Sequence, residues 1–141
     1  MKYLYPNQVL YLHERILQES GGLAGLRDEN LLESAVFRSR VTFGGKELYP
    51  DLFSKVAALG HSLIQNHPFA DGNKRTGFEA MRLMLRLNGF DLRGTAKMKF
   101  QFVINIATGK YTEQEIADWL QKRCKPQQCK KEDMEMREMK G

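Results

Sequence analysis

Cysteine is almost missing from this chain: Cys124 and Cys129 are the only two in 141 residues. Two cysteines cannot form a disulfide framework, so an apolar core must hold the fold, and a cytoplasmic protein is expected. Proline occurs four times, too rarely for a Pro-rich or collagen-like chain. No apolar run approaches the ~20 residues that span a bilayer, so no membrane segment is expected. The opening residues, Met-Lys-Tyr-Leu-Tyr-Pro-Asn-Gln, offer no apolar signal core and no small-residue cleavage site. No internal repeat is visible. The Gly-x-x-x-x-Gly-Lys-[Ser/Thr] pattern is also absent, which excludes a P-loop ATPase. Motif and length exclude a protein-kinase fold as well.

What remains is an ordinary globular composition, 42% hydrophobic and 28% charged, enough for one core. The net charge is +5. Residues 122–141 hold seven Lys/Arg and four Asp/Glu, a net +3, which leaves +2 for residues 1–121. A nearly neutral body is not a general nucleic-acid binder, so no direct nucleic-acid partner is expected. A local basic site for a phosphate ligand remains open. Periodicity is lost after residue 123, which divides the chain into a domain, 1–123, and a charged, flexible tail, 124–141.

The pattern predicts an all-α bundle with short connections. Pro6 and Asn7 start a first helix with Val9, Leu10, Leu12, Ile16 and Leu17 on its apolar side. Asp28 caps a second, with Leu31, Leu32, Ala35 and Val36 inward. Residues 41–50, around Gly44-Gly45, read as a loop or short hairpin. Asp51 caps a third helix, which Pro68 ends at His67. The fourth, from about Asn73 to Asn88, has a polar stripe of only Glu79, Arg82 and Arg86, so it is expected at the centre of the bundle. Thr95 caps a fifth, with Phe100, Val103, Ile104 and Ala107 inward. Thr112 to Glu115 is a capping box for a sixth carrying Ile116, Trp119 and Leu120. His61 reads as a packing or surface residue and His13 as a helix-surface residue.

Reactive side chains concentrate in residues 67–76, His-Pro-Phe-Ala-Asp-Gly-Asn-Lys-Arg-Thr, at the entry to the fourth helix. Free amides at a helix start attract anions, and Gly72 lets a phosphate approach the backbone. Lys74 and Arg75 fall in the first turn, where cations oppose the helix dipole; a bound anion would resolve that conflict. Asp71 is a carboxylate beside the same place, as Mg²⁺ bound to phosphates requires. Histidine is a natural proton acceptor for a hydroxyl nucleophile, and His67 stands four residues earlier. Phe69, apolar in a polar loop, anchors it to the core. Base, metal ligand and phosphate cradle together suit transfer of a phosphorus-containing group from a nucleotide to a hydroxyl.

The run His-x-Phe-x-Asp-Gly-Asn-Lys-Arg resembles the signature of the Fic/Doc family, specifically its Doc (death-on-curing toxin) branch. Leu12-His13-Glu14 through Gly21-Gly22-Leu23 and Asp28, then Leu87-Asn88-Gly89 and Ala107-Thr108-Gly109, extend the likeness over about residues 1–123. The resemblance implies a helical fold and nucleotide-dependent modification of a protein hydroxyl, with ATP or another nucleoside triphosphate as co-substrate. It implies His67 as general base and Asp71 as Mg²⁺ ligand. Gly72, Asn73, Lys74 and Arg75 would hold phosphates, and Phe69 the loop. Most Fic proteins transfer AMP; Doc-type proteins transfer the terminal phosphate to a threonine of elongation factor Tu and stop translation.

Two departures separate these activities. Standard Fic motifs carry a glycine where this chain has Lys74, and a second arginine where it has Phe78. Both changes match Doc and favour phosphate transfer, although Gly72 stands where Doc usually has alanine. AMP transfer by the same site, and a non-catalytic antitoxin-binding corepressor, are the alternatives. The self-inhibitory Ser/Thr-x-x-x-Glu-Gly/Asn motif of many Fic enzymes is absent, because Glu29-Asn30 is preceded at the required position by Gly25. That implies silencing by a separate antitoxin. Residues 41–50 would correspond to the flap that aligns a target peptide by strand addition; a plain surface hairpin is the other reading.

Overall fold

Side-chain caps start four of the helices where the sequence places them. Asp28 accepts from the amide of Leu31, Asp51 from Ser54, Thr95 from Met98 and Thr112 from Glu115, at 2.9–3.1 Å. Each such cap contributes about 1 kcal/mol. The computed structural model describes residues 1–127. The order is α1 (Pro6–Ser20), α2 (Glu29–Phe37), a 3-10 turn (Arg38–Arg40), β1 (Thr42–Phe43), β2 (Lys46–Glu47), α3 (Leu52–Asn66), α4 (Asn73–Leu87), β3 (Phe90–Leu92), α5 (Ala96–Ala107), α6 (Glu113–Arg123) and β4 (Cys124–Pro126). The fold is mostly helical, with two small antiparallel sheets, β1–β2 and β3–β4. No helix among the described residues is long and apolar enough to cross a membrane.

The centre of the bundle is α3 rather than α4. Residues Lys55–Gly60 and Ser62–Ile64 are all buried, and α3 packs on α2, α4, α5 and α6. The sequence expectation favoured α4, but Arg82, Arg86 and Leu87 lie on its open side. Small residues explain the difference: Ala57, Ala58, Gly60 and Ser62 let neighbours surround α3, which a count of large apolar residues does not register. The α3–α4 crossing is close. A Cβ on Gly60 would fall on Met81, and one on Gly77 would lie 2.6 Å from Ile64 Cγ1.

Three further expectations change. On α5 the buried residues are Phe102 and Ile106, while Phe100 is 68% exposed. Phe102 instead stacks on Trp119 at 3.7 Å, so the face toward α6 is the one buried. Leu10 on α1 is exposed as well. The described domain also runs past residue 123. Cys124–Pro126 pairs with β3, Leu92 opposite Cys124 and Phe90 opposite Pro126. The half-buried Cys124 thiol is pushed up to about 11 by burial and by the charge of Asp91. The rest of the expected tail, with Cys129, lies outside the described residues.

Residues 41–50 form a hairpin. Gly44 and Gly45 both take left-handed φ, 58° and 79°, the geometry of a two-residue turn that matches strand twist. One buried cation ties the hairpin to α3. Lys55, 1% exposed, donates to the Ser39 carbonyl at 3.1 Å and to Glu47 Oε1 at 2.9 Å. Lys55 precedes His67 by twelve residues, ~18 Å along a helix, so the tether lies near the end of α3 away from the 67–72 loop.

Candidate active site

The loop between α3 and α4 reverses the chain through two left-handed residues. His67 ends α3 at φ 50°, ψ 60°, and Gly72 opens α4 at φ 79°, ψ 16°. Pro68 disfavours helical geometry at His67, which explains the first turn. Asn73 closes the loop from inside. Its side chain accepts from the Phe69 amide at 2.9 Å and donates to the Phe69 carbonyl at 3.0 Å. The Asn73 side chain is thus committed to the loop backbone, while its own amide lies at the start of α4. Phe69, 1% exposed, forms a β-bridge with Leu26.

Asn73→Ala would leave two buried groups of Phe69 unpaired, at about 1–3 kcal/mol each. We expect a loss of about 2–4 kcal/mol in urea denaturation. An unchanged midpoint would show that this pair does not hold the loop.

Segment 22–28 straps the loop from outside. The Arg27 and Asp28 amides both donate to the Pro68 carbonyl, at 2.7 and 3.1 Å, and the Ala70 amide donates to the Gly25 carbonyl at 3.1 Å. The Arg27 guanidinium donates to the His67 carbonyl at 2.8 Å and the Asn66 carbonyl at 2.9 Å. It neutralises the free carbonyls at the end of α3 and fixes the backbone of His67. Sequence reasoning missed Arg27; a lone loop arginine forty residues away carries no local signal.

It also misplaced His13. The expected surface residue is 5% exposed. Its ring stacks on Phe69 at 3.8 Å and 7°, and Nε2 lies 2.7 Å from the Asp71 carbonyl. The signal was present in the register, because Val9, His13 and Ile16 share one buried face of α1.

On the open side, His67, Ala70, Asp71, Gly72, Asn73, Lys74 and Arg75 line a hollow of about 350 Å³. All the residues expected at the site except Phe69 therefore meet in one place. The first helical bond of α4 runs from the Thr76 amide to the Gly72 carbonyl, so the amides of Asn73, Lys74 and Arg75 precede the ladder and have no intrahelical partner. Lys74 and Arg75 are exposed. Arg75 reaches Glu19 on α1 at 3.8 Å, an exposed pair of little strength that a phosphate can displace.

The Asp71 carboxylate is exposed. Oδ1 accepts from the Gly72 amide at 2.8 Å and Oδ2 from the Leu23 amide at 3.2 Å. Each oxygen keeps a free lone pair. No group of three or more acidic, His or Cys side chains that could hold a metal occurs among the described residues. The donor set therefore fits Mg²⁺ only as the cation favours it with nucleotides: one carboxylate, with phosphate oxygens and water completing the shell.

The sequence profile of the Fic/DOC family matches residues 3–85, which takes in α1, the hairpin, α3, the loop and most of α4. This chain belongs to the Fic/DOC family. It is similar to a protein named Toxin Doc from Mycolicibacterium smegmatis, 46% identical over 72 residues, 51% of this chain and 55% of that protein. The matched segment thus spans about half of that relative's length. It is also similar to the protein named Protein kinase doc of Escherichia phage P1, 28% identical over 122 residues, 86% of this chain and 95% of that protein.

Proposed function

We propose that this Fic/DOC chain is a Doc-type toxin that transfers the terminal phosphate of ATP, or another nucleoside triphosphate, to a Ser or Thr hydroxyl of a target protein. One observation supports phosphate over AMP: Lys74 and Phe78 occupy the positions of a glycine and a second arginine in standard Fic motifs. A lysine ammonium at the mouth of the hollow fills space that an AMP-transferring pose needs. Phe78 cannot hold the terminal phosphate away from the hydroxyl. The name of the phage relative, a protein kinase, supports the same choice.

In this reading His67 takes the proton of the attacking hydroxyl as its oxygen bonds to the terminal phosphorus. The bond from that phosphorus to the bridging oxygen breaks, and the nucleoside diphosphate leaves. The amides of Asn73, Lys74 and Arg75, with the Lys74 and Arg75 side chains, stabilise the charge on the transferred group. Asp71 would hold Mg²⁺, which neutralises phosphate charge when bound. Elongation factor Tu is the proposed target, growth arrest the outcome, and a separate antitoxin protein the proposed regulator.

The test is incubation of the purified chain with Mg²⁺, a bacterial lysate and ATP labelled at the α or the γ position. Label from γ alone on a protein band is expected. Label from α would replace the proposal with AMP transfer, and label from neither would favour an antitoxin-binding corepressor.

A further inference from the structure

His13 is a buried histidine that the proposed chemistry does not use. The Asp71 carbonyl can only accept, so the imidazole carries its hydrogen on Nε2 and donates it there. No peptide bond among the described residues is cis. In a trans peptide the carbonyl and the following amide point in opposite directions. Fixing the Asp71 carbonyl toward α1 therefore aims the Gly72 amide the other way, where it donates to Asp71 Oδ1. The ring also forms the floor of this turn, because a Cβ on Gly72 would lie 3.6 Å from both His13 Cδ2 and Nε2. Glycine at φ 79° tolerates either orientation of the preceding peptide, so something outside the loop must choose.

We propose that His13 is a positioning residue: it selects the orientation of the 71–72 peptide that turns its carbonyl away from the hollow and points the Asp71 carboxylate for use. In the flipped orientation a carbonyl oxygen would face the incoming phosphates and the Asp71 carboxylate would lose one of its two amide donors. The inference deepens the proposed function and rests on it for the consequence in turnover. The peptide orientation itself is independent of any activity.

The test compares His13→Phe, which keeps a ring against Phe69 and loses the donor, with His13→Gln, which keeps a donor. Two readouts are taken on the full chain: hydrogen exchange of the Gly72 amide without nucleotide, and the turnover of γ-labelled transfer at saturating Mg·ATP. For His13→Phe we expect at least tenfold faster Gly72 exchange and about 10- to 100-fold lower turnover, the cost of misplacing a site group by about an ångström. Exchange inside α3 should be unchanged. His13→Gln should recover most of both. Should His13→Phe fail to fold, His13→Met against His13→Gln, near-equal in shape, gives the same contrast. Gly72 exchange within twofold of wild type in the donor-free variants overturns the proposal. If wild type transfers no label, the proposed function fails, and Gly72 exchange still decides the role of His13.

Discussion

His67→Ala is expected to lower transfer by about 10²- to 10⁴-fold, the range general-base removal usually costs. The fold should be almost untouched, because the ring is exposed and none of its atoms forms a hydrogen bond among those of the described residues. The backbone is the complication. His67 holds φ 50°, where Asn is tolerated better than Ala. His67→Asn therefore separates the two effects: it keeps the left-handed turn, yet its amide cannot take a proton. Both variants should bind Mg·ATP like wild type and transfer almost nothing. If His67→Asn retains a tenth or more of the turnover, the residue shapes the loop and another group is the base.

A large stability effect from overpacking is expected at Gly77. Its Cβ position lies 2.6 Å from Ile64 Cγ1 and 3.5 Å from the Gly60 carbonyl, and Ile64 is fully buried. Replacing a helical glycine by alanine ordinarily gains about 1 kcal/mol. Overpacking a core costs about 1–3 kcal/mol, and here the neighbour is a branched side chain with no room to retreat. The clash should win for Gly77→Ala and more clearly for Gly77→Val, by about 3 kcal/mol. Removing the opposing methylene tests the cause. In a double-mutant cycle with Ile64→Ala the two changes should couple favourably by more than about 1 kcal/mol. A Gly77→Ala variant as stable as wild type would mean that α3 and α4 are not this close. Because α4 carries Lys74 and Arg75 in its first turn, the same variant should also weaken nucleotide binding.

Most helix boundaries were readable because they rest on local chemistry. Asp28, Asp51, Thr95 and Thr112 sit where their side chains meet a free amide three residues on. The site loop was readable for a similar reason: six of its functional side chains are consecutive or nearly so. What the sequence hid was long-range. Arg27 reaches Asn66 and His67, Leu23 reaches Asp71, and His13 crosses 58 positions to the Asp71 carbonyl. None of these pairs has a spacing that marks it. Asn73 was identified as a site residue, but only the fold shows that its side chain serves the loop and its amide the hollow. Phe100 and Phe102 are both strongly apolar, so periodicity alone could not say which faces Trp119. The position of α3 depended on small residues, whose effect appears only when neighbours close in.

Mass spectrometry of the modified target reads the identity of the transferred group directly. Purified elongation factor Tu is incubated with the chain and Mg·ATP, and the modified residue and its added mass are determined. One phosphate on a single hydroxyl is expected, absent with His67→Asn. An added AMP on that hydroxyl would contradict phosphate transfer.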